Sequence, residues 1–242
     1  LIPPSPSPMF PEGQKACRFE TDDVGIGRVS FRATTVRHSN LAGMGPDFAA
    51  PQSLRYDNVG LTPSGQPLSL DIVVLSNWYD AHNIDRNGRD GDRAFGNINL
   101  KAPQQGDGVD ATYVDLSFCL LNQETDEPVE MNQFQMSFFD FDMGLAATAV
   151  ECMTVGGYSQ YTLTDDSELE VTELGDGRTS FCATQFGVGA DNPDDPNTLT
   201  DLQARRSVTI SYYRTACFEV QYSISCCSSG RNFLFAGDSN LL

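Results

Sequence analysis

Basic residues are scarce in this 242-residue chain: 15 Lys and Arg stand against 33 Asp and Glu, a formal charge of −18. Binding nucleic acid or an anionic bilayer needs cations that displace counterions, so this surface repels both. Nucleic acid is therefore not expected as a partner, whereas divalent cations and basic surfaces are attracted. No run of about 18 apolar residues occurs, so no segment reads as a membrane span. Histidine is limited to His38 and His82, and no C-x-x-C pair exists, which argues against a zinc site built from clustered Cys and His. There is no G-x-S-x-G elbow and no Walker or dinucleotide glycine pattern, so nucleophilic and nucleotide chemistry lack their usual signatures. Tryptophan occurs once, as Trp78, whereas a sandwich-type glycosidase cleft stacks several on its sugar rings. No N-x-S/T sequon is present, so N-glycans are not expected.

Cysteine, by contrast, is plentiful. Cys17, Cys119, Cys152, Cys182, Cys217, Cys226 and Cys227 are scattered in the manner of disulfides, which implies an oxidising compartment and a secreted, extracellular or cell-surface protein. Seven is odd, so at least one thiol is free or paired outside the chain. Cys226 and Cys227 are adjacent; on a strand they would face opposite ways, one into the core and one outward. They are the candidates for an intermolecular bond.

Residues 1–13, LIPPSPSPMFPEG, carry five prolines and read as an extended arm or linker, about 40 Å long at polyproline spacing. They contain neither a basic nor an apolar leader segment, so any signal peptide has been removed. Residues 14–242 read as one domain. Period-two patterns run through 28–36, 68–75, 111–121, 133–142, 161–164, 168–174, 178–186, 207–213, 217–224 and 232–237, with Gly, Asn and Asp between them. Asp176-Gly177 marks a hairpin turn. Thr200 and Gln203 have capping-box spacing, which predicts a short helix over 200–206. The expectation is all-β: a two-sheet sandwich or jelly roll with one short helix.

Three acidic stretches could hold a cation. In FFDFDMG (138–144), a continuing strand would put Asp140 and Asp142 on one face and Phe139 and Phe141 on the other, in the core. Neighbouring like charges at a strand end need compensation, so the two aspartates are expected to bind Ca²⁺ or a buried Arg, or else to form a solvated face. In NIDRNGRDGD (83–92), Asn83, Asp85, Asn87 and Gly88 match the first half of an EF-hand loop. Ala94 stands where the bidentate Glu is required, so this is either an irregular Ca²⁺ loop using Asp85, Asn87, Asp90 and Asp92 or a solvated loop whose acids Arg86, Arg89 and Arg93 neutralise. GADNPDDPNTLT (189–200) reads as a rigid loop leading to the helix. Trp78 and Tyr79, just before the second stretch, are candidates for a sugar platform.

The segment from Phe138 to Tyr213 resembles an extracellular domain common in dinoflagellate and other microalgal proteomes. The pattern is carried here by Phe138, Asp140, Asp142, Gly144, Glu168, Gly189, Asp191, Asn192, Pro193, Pro196, Leu199, Thr200, Gln203, Arg206 and Val208. The resemblance implies a secreted or surface β-domain without a settled activity. Within that segment Cys152 and Cys182 lie on strands separated by two hairpin-like turns and are expected to pair. Cys119 is left to Cys217, Cys226 or Cys227. The functional expectation is a non-enzymatic structural subunit of an extracellular assembly, such as a wall, scale or flagellar-hair filament. Its partners would be copies of itself or other matrix proteins. The alternative is a Ca²⁺-dependent carbohydrate-binding module that takes polysaccharide.

Overall fold

The computed structural model describes residues 28–241 apart from 63, 90 and 92. The Pro-rich arm, Cys17 and Asp90 lie outside the described residues. The strands are β1 (Thr35–Ser39), β2 (Leu54–Leu61), β3 (Pro67–Val74), β4 (Gly88–Arg89), β5 (Gly96–Leu100), β6 (Ala111–Asn122), β7 (Met131–Phe139), β8 (Glu151–Gly156), β9 (Gln160–Thr162), β10 (Leu169–Glu173), β11 (Arg178–Ala183), β12 (Val208–Thr215), β13 (Cys217–Ser225) and β14 (Arg231–Ala236). One helix, α1 (Asp201–Arg205), precedes β12. Its capping box forms: Thr200 accepts from the Gln203 N–H, and the Gln203 side chain accepts from the Thr200 N–H.

The strands make two sheets, one of eight in the order β1-β2-β3-β6-β13-β8-β11-β10 and one of six in the order β4-β5-β14-β7-β12-β9. Every named strand pairing is antiparallel. The alternation in β6 and β13 decides which side faces inward. Val114, Leu116, Phe118 and Leu120 are buried, as are Phe218, Val220, Tyr222 and Ile224, while the residues between them are partly or fully exposed. Facing them from the smaller sheet are Phe134, Met136 and Phe138 of β7, Tyr212 of β12, and Phe233 and Phe235 of β14. Ring contacts cross the interface: Phe118 meets Phe235 at 5.3 Å, Tyr222 stacks on Phe233 at 4.3 Å, and Tyr212 stacks on Phe218 at 4.3 Å. The architecture is an all-β sandwich with one short helix.

Several sequence expectations shift. The period-two reading of 28–36 is interrupted: residues 31–33 turn, Thr34 Oγ1 donates to Ser30 O at 3.1 Å, and β1 starts at Thr35. Val29 and Phe31 are apolar because they plug the sandwich, not because they form a strand. Strand β7 ends at Phe139, and Asp140 takes a left-handed conformation at φ 66°. Asp140 and Asp142 are therefore not successive residues of one strand face. The adjacent cysteines also differ from expectation. Strand β13 stops at Ser225, so the opposite-face argument does not apply to Cys226 and Cys227, which are joined to each other. As an internally bonded pair they are withdrawn as intermolecular candidates. The other bonds are Cys119–Cys217 and Cys152–Cys182, each joining residues directly opposite on adjacent strands.

Candidate functional site

One end of the sandwich collects the chemistry. There the chain leaves β3, β5, β7, β11 and β13 and enters β6, β8, β12 and β14. Two features occupy this end: a carboxylate cluster and an open groove.

The cluster forms because β7 stops and its continuation folds over the sheet end. Phe141 N–H bonds to Arg206 O at 3.1 Å, and Met143 N–H bonds to Gln185 O at 3.0 Å. These bonds lay the chain between the start of β12 and the loop after β11. Asp142 is turned inward and only 4% exposed. Asp191 comes from the 184–200 loop, where its carboxylate accepts from the Val188 N–H at 3.1 Å and from Arg206 Nη1 at 2.6 Å. Single carboxylate oxygens of Asp140, Asp142 and Asp191 lie within 4.8 Å of one another. Gly187 packs directly on this group: a Cβ there would sit 1.9 Å from Asp142 Oδ2. Behind the cluster, Glu151 is 3% exposed and accepts from the Tyr222 hydroxyl at 2.9 Å. Arg231 reaches Asp142 Oδ1 at 3.4 Å and Glu151 Oε1 at 3.5 Å, while Arg206 also bonds Glu168 Oε2 at 2.8 Å.

Desolvation dominates the electrostatics. Burial, with the added repulsion of Asp142 and Asp191, pushes the Asp140 carboxyl up to about 8, against the pull of Arg231 and Arg206. Burial also raises Asp142, with Arg231 opposing. Glu151 is raised well above the usual range by burial and by repulsion from Asp140 and Asp142.

The groove opens beside Trp78, with a volume of about 690 Å³. Its walls are the 75–80 segment after β3 and the 101–115 stretch that leads into β6. Trp78 is 46% and Tyr113 53% exposed, and Leu75 and Val109 add exposed apolar surface. Each of the three carboxylates in the lining already accepts a hydrogen bond: Asp80 from Lys101 Nζ at 2.7 Å, Asp107 from the Gln104 N–H at 2.7 Å, and Asp115 from Gln221 Nε2 at 2.8 Å. A second depression shares Leu75 and Asp115 with this groove and continues over the outer face of the large sheet to Arg178 and Thr215.

The structure separates the residues that the sequence grouped. Trp78 lines the groove, but Tyr79 is 6% exposed and turned inward. Its hydroxyl bonds Asn87 and donates to Asn99 O at 2.8 Å, so it offers no face to a sugar. The irregular Ca²⁺ loop also comes apart. Asp85 is exposed in a short 3-10 turn, whereas Asn87 is buried with its amide spent on Tyr79 and on the Asn99 N–H at 2.9 Å. Asp191 and Glu151 were not legible as partners of Asp140 and Asp142. The first reads as part of a rigid proline-containing loop, and the second is one acid among 33. Tyr113 reads in sequence as an ordinary strand residue.

No protein-family model matches the sequence, and no curated protein does. Among solved structures the chain is similar to the N-terminal domain of the Streptococcus gordonii adhesin Sgo0707, with 13% identity and a TM-score of 0.46 over 88% of this chain and 59% of that one. It is also similar to the adhesin domain of PrgB from Enterococcus faecalis bound to DNA, with 9% identity, a TM-score of 0.41 and coverage of 76% and 66%. A third is the glucan binding protein C of Streptococcus mutans, with 11% identity, a TM-score of 0.43 and coverage of 77% and 57%. The chain spans less than two thirds of each of these structures, and likeness at this level transfers neither residue roles nor function.

Proposed function

We propose that this chain is a non-catalytic extracellular binding domain that holds an uncharged glycan chain in the groove beside Trp78. The observation that carries the reading is the pairing of two exposed aromatic side chains, Trp78 and Tyr113, with a hydrogen-bonding rim in one open groove. Aromatic faces stack on the apolar faces of sugar rings; of the rim groups, Asn77 can meet the hydroxyls, while Ser76 and Thr112, which donate to Trp78 O and Lys101 O, can offer acceptors. The groove is open rather than enclosed, and it continues along the sheet face, which suits a polymer better than a small metabolite. Disulfides support an oxidising, extracellular setting. A non-catalytic role is supported by the groove carboxylates, each of which is held by a neighbouring donor instead of standing free as an acid or nucleophile.

The structural-subunit reading drew on an outward cysteine at 226 or 227. With those two bonded to each other, the odd cysteine falls to Cys17, which lies with the Pro-rich arm outside the described residues. The test is affinity electrophoresis in gels cast with soluble neutral polysaccharides, followed by calorimetry on the one that retards the protein. Trp78→Ala and Tyr113→Ala should each weaken binding about tenfold or more, ~1.4 kcal/mol, with unchanged melting temperature. Retardation that both variants keep, or that no neutral glycan produces, defeats the reading.

A further inference from the structure

The carboxylate cluster at the end of β7 carries a second site, independent of the groove. Asp140, Asp142 and Asp191 place one oxygen each within 4.8 Å of the others. Two oxygens bound to one Ca²⁺ at the usual ~2.4 Å can be separated by no more than about 4.8 Å, a necessary condition for sharing an ion that all three pairs meet. An acidic cluster alone would mean little in so acidic a chain. Here one of its members is also stranded. Asp142 is 4% exposed, and its Oδ1 is fully buried without a hydrogen-bond partner. The nearest cation, Arg231, stands 3.4 Å from that atom and 3.5 Å from Glu151 Oε1, and its Nε is likewise buried without a hydrogen bond. Arg231 thus makes a long ion pair with each of the two carboxylates, and Asp142 Oδ1 gains no hydrogen bond from it.

The charge balance points the same way. Asp140, Asp142, Asp191, Glu151 and Glu168 share two guanidiniums, Arg206 and Arg231. With all five ionised the group carries a net charge of three minus, which protonation relieves when no cation is bound. A divalent cation removes two of the three.

We propose that Asp140, Asp142 and Asp191 bind one Ca²⁺, which ties the 184–200 loop to the end of β7. A cluster of hard carboxylate oxygens suits Ca²⁺ rather than a softer metal. Arg206 positions Asp191 from behind at 2.6 Å, and Gly187 leaves the space that the Asp142 carboxylate fills.

The experiment is calorimetric titration of CaCl₂ into chelator-treated full-length protein at 0.15 M NaCl, paired with thermal unfolding. One Ca²⁺ per chain is expected, with a dissociation constant at or below the ~10⁻⁴–10⁻³ M of extracellular modules, and the melting temperature should rise with Ca²⁺. Asp191→Asn, whose amide oxygen can still accept from Arg206 and the Val188 N–H, should weaken binding at least tenfold; Asp142→Asn should do the same. Asp85→Asn, in the exposed 3-10 turn, should leave the titration unchanged. The proposal is overturned if the wild type shows no saturable heat and no thermal shift at 10-fold above the ~10⁻³ M limit. It is also overturned if Asp85→Asn abolishes the signal while Asp191→Asn keeps it. Neither result depends on whether the Trp78 groove binds a glycan.

Discussion

His38 shows how a single side chain records its surroundings. Its Nε2 meets Ser53 Oγ at 2.8 Å, and Ser53 donates to Asp71 Oδ1 at 2.8 Å, so the ring is the donor at the head of a short relay. Burial lowers its pKa below 6.5; Asp71 opposes that shift and Arg55 adds to it. The folded state therefore favours the neutral ring more than the unfolded chain does. This contribution to stability is complete above pH 6.5 and is lost as the pH falls through the lower folded value. With only two histidines in the chain, an NMR titration can follow both. The resonance that disappears in His38→Gln should titrate below 6.5, and a value above 6.5 contradicts the burial argument. Trp78 and Tyr79 teach a related lesson. Adjacent aromatics looked alike in sequence, yet one is surface and the other is a buried hub for Asn87 and Asn99.

At the level of elements, the hairpin β10–β11 forms the edge of the large sheet and reaches the rest of it only through β8. Its turn follows from Asp176-Gly177, where Gly177 takes φ 84° and Leu174 N–H bonds Arg178 O at 2.7 Å. The Cys152–Cys182 bond staples this edge to β8 across the outer face, with a sequence separation of 30 between the two cysteines. Closing a loop of that length stabilises the fold by about 3.5–4 kcal/mol on chain-entropy grounds. The double variant Cys152→Ser/Cys182→Ser should lose about that much in guanidinium unfolding, and amide exchange should accelerate first in β10 and β11. A loss below about 1 kcal/mol would mean that sheet hydrogen bonding holds the edge unaided. Strand β5, GNINL, carries the opposite lesson. It belongs to none of the period-two runs, yet all five residues are buried. Asn99 accepts from the Asn83 N–H at 2.8 Å and donates to Arg231 O at 3.1 Å, so the polar side chains are consumed by tertiary bonds that no local pattern predicts.

For the whole molecule, the charge of −18 sets the choice of partners. The groove itself contains Asp80, Asp107 and Asp115 against Lys101 alone. A polyanion would have to bring its charge into that field without the lysines and arginines that release counterions. Duplex DNA and heparin should therefore cause no mobility shift at 0.15 M salt, while a neutral glycan should. A shift that weakens steeply as salt is added would place a cationic surface somewhere on the full chain and would redirect the choice of ligand.

The sequence by itself determined the class of fold. Alternation and turn residues are local, so β6, β13, the Asp176-Gly177 hairpin and the Thr200 cap could all be read directly. It also determined the sign of the surface and the abundance of cysteine. Tertiary structure decided which charges meet. Asp142, Asp191 and Arg231 come from three segments spread over ninety residues, and only the closing of the two sheets brings them to one end. It likewise decided that Tyr113 joins Trp78 while Tyr79 leaves it. A side chain's surroundings depend on the sheet face and the neighbouring strand, and those follow from pairing between residues far apart in the chain.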